Sequence, residues 1–288
     1  MTDKQLPTDI ATPVSTIAPD LPIAFIGGGN MASAIMGGLI RQGMDPTRID
    51  VVEPFEETRE RLARELGVTA QPTPGPALAR AAVVVWAVKP QVFGEAAAPV
   101  APLTAKALHL SVAAGIQSGT IAAWLGTERV VRAMPNTPAL VGQGMTGLYA
   151  REAVSQAQRE LVEQLLSATG RLAWMQAEAQ LDAVTALSGS GPAYVFYFLE
   201  AMTQAGVDMG MDEAQAYQLA VATFSGATAL AAQSSEPASV LRQRVTSKGG
   251  TTYAALSSME QDGVKPSFVK AIRAAEQRAR ELGEEFGR

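Results

Sequence analysis

Ile23-Ala24-Phe25-Ile26-Gly27-Gly28-Gly29-Asn30-Met31-Ala32 decides the fold. Four apolar residues run into three glycines, and an apolar-periodic stretch over 31–42 follows, stopped by Gly43. A short buried strand turning sharply into a helix has this form. The spacing fits G-x-G-x-x-A. Gly27 permits the tight turn, Gly29 lets the backbone approach a pyrophosphate, and Ala32 keeps the helix close to the sheet. The N–H groups opening the helix favour a negative charge. Glycine-rich strand–helix turns also occur as plain connections. Here the turn heads an alternating series, which points to dinucleotide binding.

Working outward, further strands are expected over 49–52, 83–88, 107–112 and 129–134, with a charged amphipathic helix over 56–66 ended by Gly67. These strand runs are almost continuously apolar and alternate with helical segments. That is the pattern of a mostly parallel sheet covered on both faces, an α/β doubly wound (Rossmann) domain. From Asp182 onward no convincing strand remains, and helical runs over 193–204, 212–233, 240–245, 252–261 and 266–286 suggest a second, all-helical domain. Its Ala-rich run 214–232 is apolar on most sides and wants burial on most sides. So short a domain would draw on helices of another subunit for that. Leu187-Ser188-Gly189-Ser190-Gly191-Pro192-Ala193-Tyr194 reads as a small-residue turn opening a helix, a hinge between the two halves. The expected division is a disordered tail over 1–21, a dinucleotide-binding domain over 22–180 and a helical domain over 181–288.

Composition excludes several classes. The 288 residues carry 47% hydrophobic and 18% charged residues, enough for a sizeable core. The net charge of −5, with no basic cluster, argues against a nucleic-acid partner. There is no cysteine, so disulfides, thiolate catalysis and Cys-ligated metals are excluded, and one histidine, His109, cannot make a metal cluster. His109 lies between leucines and reads as a buried strand residue; Trp86, Trp124 and Trp174 read as core. No apolar run approaches a membrane span. The Thr/Pro-rich start lacks the basic-then-apolar layout of a signal peptide, so a cytoplasmic location is expected.

Three strand ends suggest ligand walls, since ligands of open parallel sheets bind at the carboxyl edge. They are Ala87-Val88-Lys89-Pro90, Ala113-Ala114-Gly115 and Met134-Pro135-Asn136-Thr137-Pro138. Each is also a reasonable plain turn. Glu53 follows the second strand. An acid there would bind a ribose 2′-hydroxyl and favour NAD, or it is a loop carboxylate beside Pro54; Arg59 and Arg61 lie close enough in sequence to serve a 2′-phosphate. In the helical half, Ser247-Lys248-Gly249-Gly250-Thr251-Thr252 is a second small-residue turn entering a helix. Its N–H groups would cradle an anion, with Thr251 and Thr252 as hydroxyl partners and N-caps.

Together these motifs resemble the pyrroline-5-carboxylate reductase family from about Pro22 to the C-terminus. The match includes Gly-Gly-Gly-Asn-Met at 27–31, Val-Lys-Pro at 88–90, Ala-Ala-Gly at 113–115 and Met-Pro-Asn-Thr-Pro at 134–138. The most specific parts are Asp-Ala-Val-Thr-Ala-Leu-Ser-Gly-Ser-Gly-Pro-Ala-Tyr at 182–194 and Ser-Lys-Gly-Gly-Thr-Thr at 247–252. The resemblance implies a Rossmann domain followed by a helical dimerisation domain, dimers that often assemble into decamers, and NADPH as cofactor with NADH as the alternative. It implies reduction of 1-pyrroline-5-carboxylate to L-proline by hydride transfer to the C=N carbon. It puts the cofactor against Gly27, Gly28, Gly29, Asn30, Met31 and Glu53, and the nicotinamide against the loops at 87–90 and 113–115 and at Asn136. It puts the substrate carboxylate on Ser247, Gly249, Gly250 and Thr251, with Ser190 alongside and Thr252 near the ring nitrogen as the catalytic group. The acidic Glu53 departs from the uncharged or basic residues that NADPH-preferring members commonly carry.

Two other readings compete. A 3-hydroxyacid dehydrogenase would need a lysine on the linking helix, and the run 192–204 has none. A non-catalytic dinucleotide sensor would need no anion cradle at 247–252.

Overall fold

The computed structural model describes residues 21–286. They divide into two compact units: one holds the residues up to Ser190 together with the stretch from Ala275, the other Gly191–Ala274. The expected tail over 1–20 lies outside the described residues. Leu21, given to that tail, packs half-buried against the core.

The first unit is built on an eight-stranded sheet in the order β3-β2-β1-β4-β5-β6-β7-β8. The strands are β1 (Ile23–Ile26), β2 (Ile49–Val52), β3 (Ala70–Gln71), β4 (Val83–Trp86), β5 (Leu108–Ser111), β6 (Val130–Met134), β7 (Gly144–Ala150) and β8 (Gly170–Trp174). All neighbours pair parallel except β6 and β7. The chain leaves β1 towards β2 on one side and returns to β4 on the other. The sheet therefore reverses its order beside β1, where open α/β sheets place their ligands.

Strand periodicity splits the core into two layers. Ile23, Phe25, Ile49, Val51, Val83, Val85, Leu108 and Leu110 face one way. There they meet α1 (Asn30–Arg41) through Ile35, Met36 and Leu39, and α5 (Gln156–Leu166) through Val162 and Leu165. Ala24, Ile26, Val84, Trp86 and Val130 face the other way, onto α3 (Phe93–Val100) and α4 (Ser118–Leu125). Trp86 and Phe93 stack with centroids 4.7 Å apart. A charged helix, α2 (Glu56–Leu66), adds one buried residue, Leu62, and ends at Gly67 in the left-handed region as expected. Trp86 is buried, as expected; Trp124 and Trp174 are half-buried.

His109 is buried on β5. It accepts a hydrogen bond from Trp86 Nε1 at 3.0 Å, and its Nε2 faces the Thr104 carbonyl at 3.3 Å. Burial pushes its pKa down from 6.5 to about 4, against the opposing pull of the Thr104 carbonyl. The unfolded chain takes up a proton near pH 6.5, which the folded chain refuses until about pH 4. Stability from this group is therefore full above pH 6.5 and falls as pH drops towards 4, by at most about 3 kcal/mol. Urea denaturation of the protein and of His109→Gln at pH 7.5 and pH 4.5 should show a smaller acid loss in the variant. Gln keeps an acceptor for the indole.

The second unit is helical, as expected: among the described residues no strand follows Trp174. A short helix α6 (Gln180–Val184) belongs to the first unit, whose leading stretch continues to Ser190. The second comprises α7 (Gly191–Asp208), α8 (Glu213–Gln233), α9 (Ala238–Arg244), α10 (Thr251–Gln261) and the start of α11 (Val264–Phe286), up to Ala274. Tyr194, Phe198 and Phe268 pack edge to face with centroids 5.4–5.6 Å apart. Of the 21 residues of α8 only Ala216 and Ala220 are buried. Phe196, Tyr197, Tyr217, Leu219, Leu230 and Met209 are exposed in the single chain.

Two expectations need correction. The stretch 187–194 is no turn: Thr185–Gly189 is a π-helical segment continuing α6, Ser190 is itself right-handed helical, and α7 starts at Gly191. The small residues allow close packing, since a Cβ on Gly189 would lie 2.6 Å from Met134 Cε. The final helical run is also not wholly part of the helical unit. The end of α11 belongs to the sheet unit, where Leu282 and Phe286 pack over Gly115.

Candidate functional site

The glycine-rich turn takes the conformation that its spacing demands. Gly27 has φ +96°, and a Cβ there would stand 2.6 Å from the Ala87 carbonyl oxygen and 3.2 Å from Val88 Cγ1. Only glycine fits, because both backbone and space forbid a side chain. On Gly28 a Cβ would meet Leu62 at 2.7 Å and Glu53 Oε2 at 3.3 Å. Gly29 differs. It has ordinary extended backbone, φ −68° and ψ −172°, and a Cβ would meet nothing within 4 Å. The protein itself does not require glycine there. A ligand lying against the backbone would, and Gly29 is the N-cap of α1, whose start has no side-chain cap and no acidic residue in its first turn. The open face and the uncapped N–H groups fit a pyrophosphate. Asn30 is exposed and Met31 half-buried at this start.

Glu53 lies beneath this turn. Its Oε2 accepts from Gly28 N at 2.7 Å and its Oε1 from Phe55 N at 2.9 Å, and the residue is 6% exposed. Both oxygens thus hold backbone. Arg61 spans the same turn, donating to the Gly28 carbonyl at 2.8 Å and the Ser33 hydroxyl at 3.1 Å, and pairs with Glu65. Arg59 Nη1 donates to the carbonyls of Glu53 at 3.1 Å and Pro54 at 2.7 Å.

The strand-end loops lie at the carboxyl edges of β4, β5 and β6, as expected. Ala87, Val88 and Pro90 are half-buried and Lys89 is exposed. Ala113 is buried and Ala114 half-buried; at Gly115, with φ +77°, the space of a side chain belongs to Leu282 and Phe286 at 3.2–3.3 Å. Asn136 spends its amide on structure: Nδ2 donates to the Ser188 carbonyl at 3.1 Å and Oδ1 accepts from Met145 N at 2.9 Å. This bond ties the loop after β6 to the π-helical segment.

A half-buried ion pair supports these loops, and sequence reasoning missed it. Arg132 Nη1 on β6 meets Glu178 Oε1 at 2.8 Å, and the same carboxylate accepts from Ser118 N at 2.5 Å and Ser118 Oγ at 2.6 Å. Burial pushes the Glu178 carboxyl up, but the bonds from Ser118 and Arg132 outweigh it and hold the carboxyl below its usual range. Beside the pair is a cavity of about 300 Å³ lined by Gly115, Arg132, Glu178, Asp182 and Arg280. Burial raises the Asp182 carboxyl there. The available signal was an arginine in the middle of the apolar run Val130-Val131-Arg132-Ala133-Met134.

In the helical unit, Gly249 has φ +77° and Gly250 N closes a turn onto the Ser247 carbonyl at 3.0 Å. A Cβ on Gly250 would lie 2.7 Å from Ser247 Oγ. The expected threonine caps are a misreading. Gly250 is the N-cap of α10, no side chain caps it, and Thr251 and Thr252 are its first two residues. The helix start is therefore uncapped and without acidic residues, a better anion site than a self-capped one. Ser247, Lys248 and Thr251 are exposed and Thr252 half-buried. Ser190, half-buried, donates its N–H to the Thr185 carbonyl at 2.8 Å. Among the described residues no cluster of three or more acidic or histidine side chains could hold a metal ion, and no helix is long and apolar enough to cross a membrane.

The family model described as pyrroline-5-carboxylate reductase dimerisation matches residues 178–282, and that of NADP oxidoreductase, coenzyme F420-dependent, matches residues 22–115. A pyrroline-5-carboxylate reductase of Pseudomonas aeruginosa is 46% identical over 267 residues, covering 92% of this chain and 98% of that protein. The solved pyrroline-5-carboxylate reductase of Coxiella burnetii is 38% identical with a TM-score of 0.85, covering 91% of this chain and 98% of its own. The pyrroline carboxylate reductase of Plasmodium falciparum, solved with NADP bound, is 26% identical with a TM-score of 0.83, covering 92% of this chain and 99% of its own. These matches cover residues of both units, and the chain belongs to the pyrroline-5-carboxylate reductase family.

Proposed function

We propose that the protein reduces the C=N bond of 1-pyrroline-5-carboxylate to give L-proline, with NADPH as hydride donor and NADH as the alternative. The observation that carries this is the pairing of two uncapped, acid-free helix starts within a chain 46% identical to a reductase of that name. One, at Gly29, is open for a pyrophosphate; the other, at Gly250, is open for a carboxylate.

The reduced nicotinamide supplies the hydride, which goes to the imine carbon (C2 of the pyrroline, C5 of the proline formed) while the ring nitrogen takes a proton, so the imine becomes a secondary amine. The chain's own residues have the simpler task of positioning. Gly27, Gly28, Gly29, Asn30 and Met31 hold the dinucleotide. The loops at 87–90 and 113–115 and the Asn136 loop form walls for the nicotinamide. Gly115 takes its place there through its backbone, because α11 fills the side-chain space. Ser247, Gly249, Gly250 and Thr251 grip the carboxylate, and Ser190 lines the substrate. Thr252 hydrogen-bonds the ring nitrogen as it gains its proton. An iminium accepts hydride readily, which agrees with a site that offers hydroxyls and N–H groups.

The helical unit is the proposed dimer interface. Its exposed Phe196, Tyr197, Leu219 and Leu230 support that, and further assembly of dimers into a decamer extends the reading. The proposed location is the cytoplasm, where NADPH is kept reduced.

Absorbance at 340 nm tests the reaction. NADPH should be consumed with the pyrroline and spared with a 3-oxo acid; the reverse would reject the reading. Thr252→Ala should lower kcat/KM for the pyrroline on the order of 100-fold, about 2.7 kcal/mol, while the Kd for NADPH stays within twofold. Equal loss of NADPH binding would reject the role given to Thr252.

A further inference from the structure

An acid at the end of the second strand of this fold ordinarily marks a ribose reader and an NAD preference. The structure points elsewhere. Glu53 is 6% exposed, and its two carboxylate oxygens each already accept a backbone N–H, from Gly28 at 2.7 Å and Phe55 at 2.9 Å. These bonds link the glycine-rich turn to the loop after β2. Gly28 has no room for a side chain because Leu62 and the Glu53 carboxylate fill that space. A carboxylate so placed sets the turn and turns its charge inward.

The two arginines of α2 that face this loop differ in the same respect. Arg61 is spent on the Gly28 carbonyl, the Ser33 hydroxyl and Glu65. Arg59 uses only Nη1, on the carbonyls of Glu53 and Pro54, and makes no ion pair among the described residues. It is half-buried. Its guanidinium therefore rests on the very loop that meets the 2′ position of the adenosine ribose in this fold, with donors to spare for a phosphate. Glu56 and Glu57, in the first turn of α2, are exposed and solvated and oppose it only weakly.

We infer that Arg59 is the residue that selects NADPH by receiving its 2′-phosphate, and that Glu53 is a positioning residue that sets the glycine-rich turn for either cofactor without choosing between them. The inference rests on the dinucleotide part of the proposed function and is independent of the substrate. It is read by cofactor binding, so loss of the pyrroline reaction and failure of this inference stay distinct.

The test is the Kd of NADPH and of NADH, followed by nicotinamide fluorescence, for the full chain and for Glu53→Gln and Arg59→Ala. Glu53→Gln should weaken both cofactors at least fivefold and by the same factor, within twofold. Arg59→Ala should weaken NADPH at least tenfold and NADH less than threefold. A tenfold swing of Glu53→Gln towards NADPH would make Glu53 the ribose reader and overturn the inference. Equal losses of both cofactors in Arg59→Ala would overturn it too. A third measurement needs no variant: the unaltered protein should bind 2′-phospho-ADP-ribose at least tenfold more tightly than ADP-ribose, and a ratio of one or below contradicts the assignment.

Discussion

Gly29→Val should leave the protein folded and weaken NADPH binding on the order of 100-fold, about 2.7 kcal/mol. A Cβ at Gly29 meets nothing within 4 Å, and the backbone there is extended, which valine accepts. The added methyls fill the space where a pyrophosphate would lie. Valine is a poor N-cap for α1, so unfolding should cost about 1 kcal/mol less than before. Gly27→Ala, two residues earlier, should do the opposite. It forces a side chain into φ +96° and against the Ala87 carbonyl at 2.6 Å. Strain and overlap together should cost about 3 kcal/mol or more. Thermal denaturation with NADPH titration separates the two cases: a Gly29 variant that binds NADPH normally would remove the physical basis of the site.

Glu178→Leu should destabilise the sheet unit by about 2–4 kcal/mol. It leaves the Arg132 guanidinium, whose side chain is 9% exposed, without its carboxylate. It also strips the acceptor from Ser118 N and Ser118 Oγ. Glu178→Gln keeps the shape and part of the bonding, so its cost should be smaller. The carboxyl of Glu178 is held below its ordinary value of 4.5 by Ser118 and Arg132 against the pull of burial. Its contribution is therefore complete above the unfolded value and lost as pH falls below it. Urea denaturation should show the gap between the protein and Glu178→Gln narrowing below pH 4.5. A gap that stays constant would mean that the pair adds nothing as a charge.

Much of this was legible in the chain because local signals coincide with the global arrangement. The run Ile23–Ile26 into Gly27, the helix Glu56–Leu66 with its Gly67 stop and the apolar strands of the central sheet were plain. β7 and β8 were not. Gly-Met-Thr-Gly-Leu-Tyr-Ala and Gly-Arg-Leu-Ala-Trp carry glycines where packing is close, Gly170 against the Gly144 backbone and Gly147 against the Val184 side chain, and these hide the strand pattern. The π-helical segment was misread for a similar reason. Ser and Gly look like a turn locally, yet here they thin a helix so that it can lie on Met134. The role of Glu53 depends on which way a carboxylate points, and no spacing rule carries that. Arg132 and Glu178 meet across 46 residues of chain, so only the charge stranded in an apolar strand hinted at the pair.

The central claim is hydride transfer from the nicotinamide to the imine carbon. The most direct measurement supplies NADPH deuterated at both C4 positions together with 1-pyrroline-5-carboxylate, and reads the mass and label position of the product. The proline formed should carry one deuterium per molecule, on C5. Proline without label, or NADP⁺ formed with no proline, would contradict the account.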